Sequence, residues 1–168
     1  MKSDSKINVL FVCMGNICRS PTGEGVFQKY VEDQGQAEKL FIDSAGTIAY
    51  HVGNPADERM RQAASKRGYQ LNSIARKVIG DDINIFDLIV PMDSDNLMEL
   101  EAIAGGQKDH IRLLGSFIDG HTDNHDAPSV PDPYYGGPEG FEEVLDMIES
   151  ACPNMLSHCL SLSSNKHS

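Results

Sequence analysis

The chain has 168 residues, 25 of them acidic against 14 basic, for a formal net charge of −11; hydrophobic residues make up 40% and charged residues 23%. That length suits one domain around a single core, and that balance belongs to a folded globular chain rather than a disordered one. So acidic a chain repels phosphate at long range, which argues against general binding of nucleic acid or an anionic membrane surface. Any phosphate-bearing ligand must then be held by short-range donors. With no Trp and 7% aromatic residues, a base-stacking platform is not expected either. No apolar run approaches the roughly 18 residues of a membrane span, and Met1–Asn8 lacks the apolar centre of a signal peptide. The expected compartment is the cytoplasm. Four cysteines, at 13, 18, 152 and 159, are too few and too unevenly placed for a disulfide framework.

In chain order, Ile7–Cys13 is a nearly continuous apolar run, the pattern of a strand buried on both faces. Ser20-Pro21 then reads as a helix start, with a hydroxyl cap and a proline at the first helical position. The helix carries Val26, Phe27, Tyr30 and Val31 and stops near Gly35. Gly23 and Gly25 weaken it by up to roughly 1 kcal/mol each relative to Ala. Leu40-Phe41-Ile42 is a second strand, closed by Ser44-Ala45-Gly46-Thr47. Asn54-Pro55 opens a second helix, with Asp57 and Glu58 in its first turn and Lys66-Arg67-Gly68 at its end. Ile85–Val90 is a third strand, and Asp93-Ser94-Asp95 caps a helix reaching about Ile103. Ile111–Leu114 is a fourth, shorter strand. A last helix runs from Phe141 to about Leu162, kinked or split at Pro153, and 163–168 form a frayed polar tail. Repeated strand–helix units imply an α/β fold: a single domain with a central four-stranded parallel sheet and helices on both faces, Rossmann- or flavodoxin-like. The segment 119–138 holds four prolines, and a loop of that length inside a domain is usually functional or mobile.

The most informative stretch is Cys13-Met14-Gly15-Asn16-Ile17-Cys18-Arg19-Ser20, between the first strand and a helix N-terminus. Ligands of open α/β sheets bind at the C-terminal ends of strands. A tight turn there can aim successive backbone N–H groups inward as an anion nest, and the helix N-terminus adds free donors and its dipole. Gly15 and Asn16 tolerate the left-handed backbone such a turn needs. Arg19 offers a planar fork for two phosphate oxygens. No Gly-Lys-Ser/Thr follows, so this is not a nucleotide-binding loop. Instead a cysteine lies at the floor, where an anion nest and a helix N-terminus favour the thiolate. Cys13 is thus a candidate nucleophile toward phosphorus, and Ser20 can donate a hydrogen bond to it.

Val-Cys-Met-Gly-Asn-Ile-Cys-Arg-Ser-Pro resembles the Cys-x5-Arg signature of the low-molecular-weight protein tyrosine phosphatases. The resemblance spans nearly the whole chain, through Ser44-Ala45-Gly46-Thr47, Ala75-Arg76, Met92 to Leu97 and Asp132-Pro133-Tyr134. It implies a two-step hydrolysis of phosphotyrosine and aryl phosphates through a phosphocysteine on Cys13. Arg19 and the loop would bind the phosphoryl group, with Met14, Gly15, Asn16, Ile17, Cys18, Ser20 and Ser44 forming or supporting the cradle. Asp132 would be the general acid. Ile17, Tyr50, Tyr134 and Tyr135 would wall the substrate slot; Ile17 favours phosphotyrosine, since a relative acting on phosphoarginine is expected to carry Thr there. The implied partners are phosphotyrosine proteins, with inorganic phosphate and other oxyanions as inhibitors and neither nucleic acid nor membrane. No cofactor or metal is implied. Two departures stand out: Ser73 replaces a common histidine of the supporting network, and Thr22-Gly23 replaces the more usual Met-Ala.

Other readings of these residues stay open. Cys18 near Cys13 suits a disulfide that shields the nucleophile from irreversible oxidation, or a small buried side chain. A thiol-dependent arsenate reductase could use Cys13, but 19–151 contain no further cysteine for an electron relay. A non-catalytic phosphopeptide binder could use the same nest. His121 to Asp126 has ligand-type residues but no partner cysteines for a metal. His51, His110, His158 and His167 read as surface residues.

Overall fold

The computed structural model describes residues 5–121 and 123–166. Strands β1 (Ile7–Cys13), β2 (Leu40–Gly46) and β3 (Leu88–Pro91) form a parallel sheet in the order β2-β1-β3. The central strand is buried along its whole length, as its unbroken apolar run requires. Its alternate side chains feed two cores. Val9 and Phe11 enter one, with residues from α1 (Arg19–Asp33), α2 (Glu58–Lys66) and α5 (Pro138–Lys166). Leu10 and Val12 enter the other, with Ile83 of α3 (Gly80–Ile85) and Leu100 of α4 (Ser94–Ala104). Helices therefore cover both faces, and each core side chain removes apolar surface from water at about 25 cal/mol per Å². Among the described residues no helix is long and apolar enough to cross a membrane.

The helix α1 lies close against β1. A Cβ on Gly23 would stand 2.6 Å from the Phe11 ring, and Phe27 meets Phe11 edge to face at 5.9 Å. The glycine that costs helix propensity is the one that lets the helix approach the strand. This approach carries Arg19 and Ser20, in the first turn, to the end of β1.

The sheet has three strands, not the expected four. The fourth is reduced to one parallel bridge, Ile89 to Ile111, because the next donor along β3 would be Pro91, which has no N–H; its outer edge is closed by a side chain. Asn124 accepts from the Leu113 N–H at 2.8 Å and donates to the Ile111 carbonyl at 3.0 Å. The chain then turns into a 3-10 helix, Leu114–Phe117. Other boundaries move for similar local reasons. Ile85 ends α3 rather than opening β3, and the Asp82 side chain accepts from the Ile79 N–H to start that helix. Helix α2 begins at Glu58 because Asp57 is its cap, while Pro55 is engaged in an antiparallel bridge with Ile74. The cap of α1 is Cys18, not Ser20, which lies inside the helix. Helix α5 runs unbroken through Pro153, with Ala151, Cys152, Met155 and Leu156 buried on either side of it. Helix α5 includes 163–166; 167 and 168 lie outside the described residues.

Candidate active site

Residues 14–18 form the loop between β1, which ends at Cys13, and α1, and bonds to neighbouring groups hold several carbonyls at this corner. The Cys13 carbonyl accepts from Thr47 N–H (3.0 Å), Met14 from Ile48 (3.1 Å), Ile17 from Asp57 (2.8 Å) and Cys18 from Thr22 (3.3 Å). Four carbonyls at this corner are thus taken up by neighbouring groups, and successive amides of such a tight turn are what an anion nest is built from. Asn16 holds the left-handed conformation, with φ of 59°. Helix α1 has no side-chain cap, so its first-turn donors and positive dipole end add to the same concavity.

A second chain segment sets the loop from below. Gly46, at the end of β2, packs so tightly beneath it that a Cβ there would stand 2.7 Å from the Met14 carbonyl oxygen and 3.1 Å from the Asn16 nitrogen. Asn16 ties the loop to its surroundings through its side chain, which is 1% exposed. Its Oδ1 accepts from the Arg76 N–H at 3.0 Å, and its Nδ2 donates to Ser20 Oγ at 2.8 Å and Ser44 Oγ at 3.0 Å. Ser20 Oγ lies 3.0 Å from Cys13 Sγ. The sequence-derived supporting residues Asn16, Ser20 and Ser44 thus form one network beneath Cys13.

Arg19 is 3% exposed and is clamped from the far side. Its Nη1 donates to Asp93 Oδ2 at 2.6 Å and to the Val130 carbonyl at 3.1 Å, and its Nη2 lies 3.7 Å from Asp132 Oδ2. Burial works against its charge, but the neighbouring Cys13, Asp93 and Asp132 outweigh it and hold the guanidinium above its ordinary value. Val130 is itself tied to the sheet, its N–H donating to the Met92 carbonyl at 2.8 Å. That bond brings the Pro-rich loop over the end of β3 and places Asp132 at the mouth. Asp132 Oδ1 accepts from the Tyr134 N–H at 3.0 Å, which fixes the side chain in an Asx turn.

A small cleft results, lined by Cys13, Gly15, Ile17, Arg19, Asp132 and Tyr134 among others. Met14, Cys18 and Tyr135 also reach it, so every residue of the Cys13–Arg19 loop except Asn16 lines the space. Cys18 is buried, and burial pushes its thiol well above the ordinary range, with Asp57 adding to the effect.

Two expectations about the rim are corrected. Tyr50 does not wall the cleft: it is 83% exposed and packs edge to face on His51 at 4.8 Å. His51, expected at the surface, takes the lining position, over Gly15 and 6.2 Å from the Tyr134 ring. Nor are two other histidines free surface groups. His110 Nε2 hydrogen-bonds the Ile83 carbonyl at 2.7 Å, and the His158 ring packs 5.6 Å from Phe117. His167 lies outside the described residues.

Sequence reasoning missed two functional groups. Asp93 reads as a helix cap, which it is, but its second oxygen also holds Arg19. Glu24 is not singled out by any motif, yet it accepts from Ser44 Oγ at 2.6 Å and so ends the network that begins at Cys13. No local pattern marks either pairing, because Asp93 is 74 residues from Arg19 and Ser44 is 20 from Glu24.

Comparison with known proteins agrees with this geometry. The family model described as low molecular weight phosphotyrosine protein phosphatase matches residues 8–167. The low molecular weight phosphotyrosine protein phosphatase of Gallus gallus is 42% identical over 152 residues, covering 89% of this chain and 93% of the relative. A crystal structure of a protein tyrosine phosphatase from Entamoeba histolytica, with Hepes in its active site, superposes with a TM-score of 0.83 at 41% identity, covering 96% of this chain and 99% of the other. The structure of DARP, a Drosophila arginine phosphatase, matches with a TM-score of 0.79 at 34% identity, covering 89% and 96%. With its cysteine loop, buried arginine and overhanging aspartate in the family's order along nearly all its length, the chain belongs to the low-molecular-weight protein tyrosine phosphatases.

Proposed function

We propose that this protein hydrolyses phosphotyrosine in proteins, and aryl phosphates generally, through a phosphocysteine on Cys13. The observation that supports this most is the convergence of Cys13 Sγ, the buried Arg19 guanidinium and the Asp132 carboxyl on one cleft. The Cys13 thiolate attacks phosphorus in line, forming the S–P bond as the P–O bond to the phenol breaks. Asp132 gives its proton to the departing oxygen. Arg19 and the loop amides hold the equatorial oxygens, where positioning and electrostatics supply most of the acceleration. Water, deprotonated by Asp132, then attacks phosphorus. The S–P bond breaks, the thiolate is regenerated, and the Ser20 hydroxyl stabilises it.

Ile17 and Tyr134 give the slot apolar walls suited to a phenyl ring. An arginine side chain would instead bring a guanidinium that an apolar Ile17 cannot hydrogen-bond, so phosphotyrosine is the favoured substrate. Inorganic phosphate and other tetrahedral oxyanions would compete for the cradle. Cys18, in the same loop, is the partner for a protective disulfide with Cys13 under oxidation. An arsenate-reducing relay finds no support in Cys152 and Cys159, which are buried in α5. The cytoplasm is the compartment that suits four free thiols.

The test is Asp132→Asn. With poor phenol leaving groups kcat should fall by roughly 10²–10⁴-fold, and far less with activated ones. An unchanged pH–rate profile in the variant would remove Asp132 from the acid role.

A further inference from the structure

The hydrogens beneath Cys13 can be counted. The Asn16 carbonyl oxygen takes the Arg76 N–H at 3.0 Å, so the amide's orientation is set and its Nδ2 faces two hydroxyls. Nδ2 carries two hydrogens, and Ser20 Oγ (2.8 Å) and Ser44 Oγ (3.0 Å) each receive one. Each hydroxyl must then donate its own proton elsewhere. For Ser20 the choices are Cys13 Sγ at 3.0 Å and the more distant Ala45 carbonyl at 3.4 Å. For Ser44 the acceptor is Glu24 Oε1 at 2.6 Å. The chain Glu24–Ser44–Asn16–Ser20–Cys13 therefore has one direction of donation toward each end, and an acceptor at each end completes it.

We propose that Glu24 is a positioning residue for the nucleophile: its carboxylate anchors Ser44 and Asn16, and through them aims the Ser20 hydroxyl at Cys13 and holds the left-handed turn of the loop. This rests on the reading above that Cys13 attacks phosphorus. When Glu24 is neutral, Ser44 loses a charged acceptor. The carboxylic proton also becomes a second donor competing with Asn16 for Ser44 Oγ. The amide that fixes both the turn and Ser20 is then held less firmly.

The surroundings bring this ionisation to neutral pH. Burial pushes the Glu24 carboxyl up from 4.5 to about 7; the Ser44 hydrogen bond and Arg76 pull it down, and Asp43 pushes it up. Arg76 gives only partial relief, because its guanidinium is engaged by Asp43 at 3.1 Å and Asp82 at 3.0 Å. Among the described residues no Lys, Arg or His makes an ion pair with Glu24. The nucleophile's support is thus complete above neutral pH and incomplete below it.

The test is Glu24→Gln, which keeps the shape and removes the charge. The ratio of kcat/KM, wild type over variant, for one aryl phosphate is followed from about pH 5.5 to about pH 8.5. It should be near one at the acid end and rise by about fivefold to tenfold, with a midpoint near 7. Affinity for inorganic vanadate should follow the same curve. A merely structural role raises the ratio equally at every pH, and a flat ratio overturns the proposal. If the variant does not fold, the wild-type protein still decides: the Asn16 side-chain NH₂ resonances should shift with the same midpoint, and resonances that do not move overturn it. Failure of the wild type to turn over any aryl phosphate would instead sink the phosphatase reading itself.

Discussion

Gly46→Ala should damage catalysis far more than folding. The added Cβ would stand 2.7 Å from the Met14 carbonyl oxygen, where ordinary contact begins at 3.4 Å, so something must move by 3.4 − 2.7 = 0.7 Å. Gly46 itself cannot retreat easily. It is paired with Cys13 in the sheet, donates to the Arg76 carbonyl at 2.8 Å and accepts from the Val78 N–H at 2.8 Å. The atoms it meets are all backbone of the phosphate loop, so the loop yields. A displacement of this order near reacting groups costs up to about 10²-fold, so kcat/KM for an aryl phosphate should fall by roughly 10- to 100-fold. Overpacking should cost only about 1–3 kcal/mol of stability. Initial rates and inorganic vanadate binding, measured well below the unfolding temperature, separate the two effects. Gly35→Ala is the control. It strains a residue with φ of 70° but meets nothing within 4 Å, so it should lower stability while leaving the rate alone. A Gly46→Ala enzyme with rates within about twofold of wild type would refute the argument that Gly46 sets the loop.

Two further outcomes follow from the pairings around the cleft. Asp93→Asn preserves a good helix cap but removes the charge facing the buried Arg19, and should cost about 1–2 kcal/mol together with about tenfold in kcat/KM; denaturant unfolding and initial rates check both, and wild-type values in both would exclude Asp93 as the clamp. At the start of α2, Asp57 Oδ1 accepts from the Arg59 N–H at 2.8 Å and the Met60 N–H at 3.3 Å. Burial tends to raise this carboxyl, but those bonds and the Arg59 side chain outweigh it and hold it below the usual carboxylate value. A lowered folded value stabilises the fold above the unfolded value of about 3.9 and is lost as pH falls through the folded one. Asp57→Ala should therefore cost about 1 kcal/mol at neutral pH, with the gap from wild type closing in acid; a gap unchanged with pH would contradict this.

The sequence makes the first strand and the loop after it legible because both are local. Ile7–Cys13 needs no partner to read as a buried strand, and Cys13, Gly15, Asn16 and Arg19 carry their chemistry within a few residues. What escapes is what depends on distant side chains. The fourth strand has the right apolar residues at 111–114, but Pro91 in the neighbouring strand has no N–H to carry the ladder past Ile89, and Asn124 caps the outer edge. Gly23 reads as a helix weakness until Phe11 is found against it. Tyr50 and His51 are neighbours in sequence, and the family resemblance implies the tyrosine as the slot wall; the turn at 48–51 places the imidazole at the cleft instead. Glu24 and Asp93 serve the site through contacts made only when α1, β2 and the end of β3 come together.

The most direct measurement is rapid quenching of the enzyme during turnover of an aryl phosphate, followed by peptide mass analysis. Phosphate should be found on the sulfur of Cys13, accumulating as fast as the first burst of phenol appears, and should be absent from Cys13→Ser. A phenol burst with no phosphorylated Cys13, or phosphate carried by another side chain, would contradict the account.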